Sequence, residues 1–377
     1  MFPVLPLDID YDIRSTYKGG FTYLNPIYKE KQTGSGYVMD VNSLYPSVMA
    51  YMPAPYDMPI YFDGEYEEDD SYPLYTQTIT CRFKVKPGKI PSIQVKSGSI
   101  FAPNEYIEDS GDEAITLALT SPDLELFFEQ YDVFDIHWGG GYKFKAAEGV
   151  FTKYIDYWSE QKIKAKKEGN RPQYMISKLF MNSLYGRLGL NPRGAKKRPY
   201  VGDDDILHDV DLDIEERKPI WVAGASFITS YARCKTIRSA QAVRDWSLKN
   251  KGYDAFVYAD TDSLHVTGLD HDDFIELGKI IEIDDYKLGA WKVESRYWRG
   301  KYLRQKCYIE EWPDGSLNVT VAGLPKKLGH IVNFDNFKVG FNTADFTDEE
   351  IGEKGRKLTY KHVPGGVVLV PTDFTIK

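Results

Sequence analysis

Tyr258-Ala259-Asp260-Thr261-Asp262-Ser263 lies between two apolar runs, residues 255–257 before it and Leu264 and Val266 after it. The pattern predicts two short buried strands joined by a polar turn, a β-hairpin with carboxylates at its tip. Side chains two apart on a strand point the same way. Asp260 and Asp262 are therefore expected to crowd one face, which is unfavourable unless a cation lies between them. Asp and Ser are also ordinary turn formers, so the motif alone does not separate a divalent-metal site from a solvated turn.

The chain has 377 residues, long enough for two or more units around a large core, and its 42% hydrophobic and 27% charged content suits a soluble globular protein. No apolar run is long enough to span a bilayer, and no signal peptide opens the chain. Cys81, Cys234 and Cys307 are isolated and fit a reducing compartment. The net charge of −9 argues at first against a polyanionic partner. Its distribution reverses that reading. Fourteen of the acids sit in two blocks, residues 63–70 and 203–216, and the remaining 42 acids face 47 Lys and Arg. Local fields, not the sum, govern polyanion binding.

Taken in order, residues 1–16 read as an irregular or edge lead-in, followed by Tyr17-Lys18-Gly19-Gly20. A short strand, Tyr37-Val38-Met39, runs into Asp40-Val41-Asn42-Ser43-Leu44-Tyr45-Pro46 and a helix near 47–51. Residues 52–149 are Pro-punctuated, with a strand at 78–85 and helical patterning at 112–119 and 123–131: an inserted α+β subdomain. Residues 150–189 predict two helices broken at 169–172. On the second, Lys178, Asn182 and Tyr185 fall at i, i+4 and i+7 and share a face, which ends at Gly186. Such a stripe suits a phosphate, a hydrogen-bonding edge and a flat base. Residues 190–220 form an acidic excursion, 223–248 a long helix containing Arg233, 301–309 a strand with Lys306 and Tyr308 on one face, and 366–370 a final strand.

Three motifs stand in a fixed order: Asp40-x-x-Ser-Leu-Tyr-Pro, Lys178-x-x-x-Asn-Ser-x-Tyr-Gly and Tyr258-x-Asp-Thr-Asp-Ser. Together they resemble motifs A, B and C of family B DNA polymerases, in the protein-primed, phi29-type branch. Tyr17-Lys18-Gly19-Gly20, Lys306-Cys307-Tyr308 and the closing stretch 365–377 match that branch as well, so the resemblance runs nearly end to end.

The resemblance implies an α+β right-hand fold: palm at 1–51 and 221–327, fingers at 150–189, thumb at 328–377, and terminal-protein-region insertions at 52–149 and 190–220. It implies DNA-templated addition of dNTPs to a primer 3′-hydroxyl, protein-primed and strand-displacing. Two Mg²⁺ ions, with Mn²⁺ as substitute, are expected on Asp40, Asp262, the Val41 backbone carbonyl and Asp260, the last as a ligand or as a support. Lys178 is expected to neutralise the triphosphate, assisted by Lys164, with Lys162 and Lys166 as alternatives. Tyr45 resembles the steric gate against a ribose 2′-hydroxyl, while Asn182 and Tyr185 pack on the nascent pair. Tyr17, Gly19, Gly20, Gly186, Thr261, Lys306 and Tyr308 are the expected DNA contacts. The implied partners are primer–template DNA, dNTPs and a priming terminal protein. The implied setting is a monomer in the cytoplasm of a phage-infected bacterium. Relatives carry an N-terminal 3′–5′ exonuclease domain for which this chain has no room, so polymerisation without proofreading is expected. Two other classes use part of the pattern: a nucleotide-sugar glycosyltransferase with an Asp260-x-Asp262 turn, and a DNA-binding module with a decayed site.

Overall fold

A computed structural model describes residues 2–95, 105–352 and 355–377. Five antiparallel strands form the central sheet, in the order Thr22–Leu24, Phe256–Asp260, Ser263–Thr267, Gly36–Val41, Trp291–Tyr297. The predicted hairpin is its middle. Phe256, Val257, Ala259, Leu264 and Val266 are fully buried, so both faces of the hairpin are covered. Thr261 turns the chain with φ 58°, and Asp260 pairs with Ser263 across the turn. Asp262 therefore belongs to the turn itself, and strand alternation does not govern how it faces Asp260.

The 30-residue helix Val222–Lys251 packs across this sheet. Its buried face is rich in Ala and Ser, with Ala223, Ala225, Ser226, Ser230 and Ala240 inaccessible to solvent. Small side chains admit close approach to neighbours, and Phe227, Ile237 and Val243 fill what remains. Trp291 closes the end of the same core and donates its indole N–H to Ser239 at 3.0 Å.

A second antiparallel sheet, Ala54–Phe62, Tyr131–Ala147, Leu74–Val85, Ile115–Thr120, has a separate core around Ile79, Phe83 and Phe127. Here one expectation fails. Residues 112–119 do not form a helix. Leu117 and Leu119 alternate onto the covered face of a strand, and the helix begins only at Ser121–Gln130, where Pro122 starts its first turn. The lead-in is likewise a helix, Leu7–Arg14, with Ile13 buried and an Arg14–Asp10 ion pair at i, i+4.

Residues 301–309 are two strands of a third sheet, Arg299–Arg304 and Cys307–Glu311, with Lys306 in the connecting turn at φ 54°. Alternation thus does not place Lys306 beside Tyr308. This sheet is joined to the central one through a buried cluster. His265 Nδ1 lies 2.6 Å from Glu310 Oε1, Tyr302 donates its hydroxyl to the same oxygen at 2.7 Å, and Asn318 donates to Oε2 at 3.0 Å. Burial alone would raise the Glu310 carboxyl, but His265 and these donors hold it below its usual range.

Helices Thr152–Lys167 and Arg171–Leu188 run beside one another, the second capped by the Asn170 side chain. The acidic excursion is a hairpin, Arg193–Val201 with Leu207–Glu216. Its tip meets the closing hairpin, Lys357–Val363 with Gly366–Thr372, where the Gly365 amide donates to the Asp205 carbonyl at 2.6 Å. All three cysteines are free and buried. Among the described residues no helix is long and apolar enough to cross a membrane.

Candidate active site

Register brings the separated motifs together. Asp40 pairs with Ser263 on one side and with Lys292 on the other, and the Val41 amide donates to the Asp262 carbonyl at 2.8 Å. Asp40 and Asp262 therefore border the same two cavities, of about 660 and 340 Å³. Burial first, and then the charges of Asp262 and Glu294, push the Asp40 carboxyl up to about 7, although Lys292 and Lys178 oppose the shift. Asp262 is raised as well, mainly by burial. Two half-buried carboxylates facing one cleft, with Val41 beside them, make a hard-oxygen donor set that a divalent cation would stabilise. Among the described residues no group of three or more His, Cys, Asp and Glu is arranged around a metal position. A cation bound here would therefore need backbone or substrate oxygens as well.

Asp260 is placed differently. Its carboxylate accepts from Lys306 Nζ at 2.9 and 2.7 Å and from the Thr22 and Thr261 hydroxyls, each at 3.1 Å. Tyr258 donates to it at 3.3 Å while accepting from the Lys306 amide at 2.9 Å. These bonds tie the Asp260 carboxylate to the turn, to Thr22 and to Lys306. Tyr308 borders the larger cavity with Asp40, Asp260, Thr261 and Asp262, and Lys306 reaches the same carboxylate turn through Asp260, by another route than the one expected.

The smaller cavity lies between the central sheet and the two helices, lined by Val41, Tyr45, Lys162, Lys178, Asn182, Tyr185 and Lys292 among others. Tyr45 and Tyr185 stack with ring centroids 4.2 Å apart. Lys164 does not reach this cavity; it is exposed near the end of its helix. Two residues along a helix is about 200° of rotation, so Lys162 takes the inward position. Lys162 donates to Ser43 Oγ at 2.7 Å, and burial, with Lys292, Lys178 and Lys166 nearby, lowers it to about 8.

Tyr17 packs on Gly189, where a Cβ would come within 2.7 Å of its ring. Gly20 lies under the carboxylate turn: a Cβ there would meet Thr261 Oγ1 at 2.7 Å. Gly19 and Gly186 have nothing within 4 Å of a built Cβ, so the space beside each is open. The stretch is held from behind by Arg233, which donates to the Lys18 and Gly19 carbonyls at 2.7 and 2.9 Å and pairs with the buried Asp123.

Lys292 and Glu294 were missed in the sequence. Their signal was period-two spacing in the strand Trp291–Tyr297, but no motif surrounds them. Lys292 Nζ lies 3.9 Å from Asp40 Oδ1, and Glu294 borders both cavities.

A family model described as DNA polymerase type B, organellar and viral, matches residues 1–279. The DNA polymerase of Bacillus phage Nf is 42% identical over 396 residues, and that of Bacillus phage phi29 is 41% identical over the same length. Each comparison covers 100% of this chain and 64% of the relative, so the chain spans about two thirds, just under, of those polymerases. The polymerase of Streptococcus phage Cp-1 is 32% identical over 349 residues, covering 90% of this chain and 56% of the relative. The structure of phi29 DNA polymerase complexed with primer–template DNA and incoming nucleotide superposes with a TM-score of 0.86 at 41% identity, over 100% of this chain and 64% of that one.

Proposed function

Since the chain belongs to the type B DNA polymerases of organelles and viruses, we propose that it is a DNA-directed DNA polymerase that extends a primer 3′-hydroxyl with dNTPs. The observation that carries this reading is the meeting of Asp40 and Asp262 at one cleft, with Lys178 and Lys162 facing them from the two helices. Phosphoryl transfer is governed by positioning and charge neutralisation, and this arrangement provides both.

Asp40, Asp262 and the Val41 carbonyl would hold Mg²⁺, or Mn²⁺ in its place, which when bound supplies neutralisation of the triphosphate and a more acidic primer hydroxyl. The chain's own residues do the rest. Lys178 and Lys162 take phosphate oxygens. Tyr185 and Asn182 bear on the base pair, and Tyr45 blocks a 2′-hydroxyl. Lys306 and Tyr308 hold the primer end, and Tyr17 with Gly19, Gly186 and Thr261 lies along the template side. The 3′-oxygen forms its bond to the α-phosphorus, the bond to the bridging oxygen breaks, pyrophosphate leaves, and the hydroxyl proton passes to water.

On this reading residues 1–51 and 221–327 are palm, 150–189 fingers and 328–377 thumb, with terminal-protein-region insertions at 52–149 and 190–220. Priming by a terminal protein, strand displacement by the 190–220 hairpin, a monomeric state and action in the host cytoplasm belong to the same proposal. The test is extension of a DNA primer on a single-stranded template with Mg²⁺, continued through a downstream duplex, with and without a candidate priming protein. Sugar-nucleotide hydrolysis without dNTP incorporation would return the assignment to a glycosyltransferase. Primer–template binding without incorporation would make the chain a binding module.

A further inference from the structure

One cross-strand row of the central sheet runs Thr22, Asp260, Ser263, Asp40, Lys292. Neighbouring strands are about 4.8 Å apart, and residues in such a row share a face. The row therefore has direction. At one end Asp260 holds Lys306, the residue that grips the primer end on the proposed reading. Asp40 follows, bordering the cleft with Asp262. At the far end, beyond Asp40, stands Lys292.

In phosphoryl transfer the attacking and leaving oxygens lie roughly in line across the phosphorus. A primer that enters from the Asp260 side directs the leaving pyrophosphate toward the opposite end of the row. We infer that Lys292 is a further phosphate-binding residue of the nucleotide cleft, anchored to the sheet, and that it contacts the part of the triphosphate that departs as pyrophosphate. The inference rests on the polymerase reading and adds a residue to it.

Three observations support the assignment. Lys292 borders the same 340 Å³ cavity as Lys162 and Lys178, so three cations converge on one space. Its ammonium lies 3.9 Å from Asp40 Oδ1, well beyond the roughly 2.8 Å of a charge-assisted hydrogen bond. The lysine is thus near Asp40 without being committed to it, and its side chain is 30% exposed. Lys162, by contrast, is already bonded to Ser43. Lys162 and Lys178 stand on helices, whereas Lys292 belongs to the strand paired with that of Asp40 and keeps its place relative to the carboxylates.

The competing role for Lys292 is simple offset of the Asp40 charge, and the experiment separates the two. Lys292→Met, Lys292→Gln and Lys292→Arg are compared with the parent protein, each first checked for an unchanged melting curve. dNTP affinity is measured at equilibrium on a dideoxy-terminated primer–template with Ca²⁺, so that no turnover is needed. Product inhibition by pyrophosphate and the Mg²⁺ requirement are measured on extendable primer. Lys292→Met and Lys292→Gln are expected to weaken both dNTP and pyrophosphate binding by about tenfold, the loss of one charge-assisted contact. Primer–template affinity should stay unchanged, and Lys292→Arg should recover most of the loss. Unchanged dNTP and pyrophosphate affinities, with only the Mg²⁺ requirement moved, would overturn the inference. A parent protein that incorporates no dNTP would overturn the polymerase reading instead.

Discussion

Replacing Gly20 by alanine should slow nucleotide incorporation without weakening DNA binding to a comparable degree. The added Cβ would stand 2.7 Å from Thr261 Oγ1 and 2.9 Å from Thr261 Cγ2, both closer than packed atoms tolerate. Thr261 has little room to retreat. Its amide donates to the Phe21 carbonyl at 2.6 Å, its carbonyl accepts from Thr236 at 2.7 Å, and its φ is already 58°. Forcing one extra carbon into a packed site costs about 1–3 kcal/mol. Strain at this point bears on the turn that carries Asp262. Expressed wholly in the barrier, it corresponds to roughly a five- to 150-fold fall in rate. The assay is single-nucleotide incorporation at saturating primer–template, with Gly19→Ala as the control. Gly19 has an open Cβ position, so its substitution should leave the saturated rate near that of the parent. Thr261→Ala removes both clashing atoms, so the double variant should recover activity, with a coupling of at least about 1 kcal/mol. Equal rates for the two alanine variants, or strictly additive effects in the double variant, would refute the packing argument.

Asp262→Asn should abolish incorporation while primer–template binding, read by gel shift, stays within a few-fold of the parent; turnover comparable to the parent would remove Asp262 from the chemistry. Tyr45→Val should raise the ratio of ribonucleotide to deoxyribonucleotide incorporation, measured by competing rNTP and dNTP on one template, because the ring stacked on Tyr185 no longer fills the space beside the sugar. Arg233→Met should cost about 3–5 kcal/mol at neutral pH, since it leaves Asp123 buried without its cation. Burial alone would raise Asp123, but Arg233 and Lys18 outweigh it and hold the carboxyl below 3.8. Its contribution to the parent is therefore complete above that pH and is lost as acid titrates it. In the variant the folded-state pKa rises instead, so the gap between variant and parent should narrow on acidification. Melting curves from pH 7 to pH 4 test this, and a gap that widens would contradict it.

The sequence made the hairpin, the long helix and the two-helix pair legible because each rests on local periodicity. It also pointed to Asp40, Asp262, Lys178, Tyr45 and Tyr185, which the structure gathers at one cavity. The failures share a cause, namely that side-chain direction depends on turns and neighbours absent from a linear pattern. Lys306 lost its predicted alternation to a left-handed turn residue, and the choice left open among Lys162, Lys164 and Lys166 depended on helix phase, which turns Lys162 to the cavity. For Asp260, expected as a ligand or as a support, the sequence could not show that Lys306, Thr22 and Thr261 bond its oxygens. Residues 115–119 are strand because a neighbouring strand was there to pair with, overriding a helical pattern. The packing of Gly20 against Thr261 was equally illegible, since the two lie 241 positions apart in the chain.

The contact between Lys306 and Asp260 bears on how affinity at this site should be understood. The lysine has an anionic partner inside the protein, 2.7 Å away. On the proposed reading, capture of a primer phosphate by Lys306 is thus an exchange of one anion for another, and the net gain is smaller than the new contact alone would suggest. Removing Lys306 would understate the strength of its grip, and stray polyanions would meet a cation that is already shielded. Commitment becomes conditional on a strand end arriving where it can compete with the carboxylate beside the reacting centre.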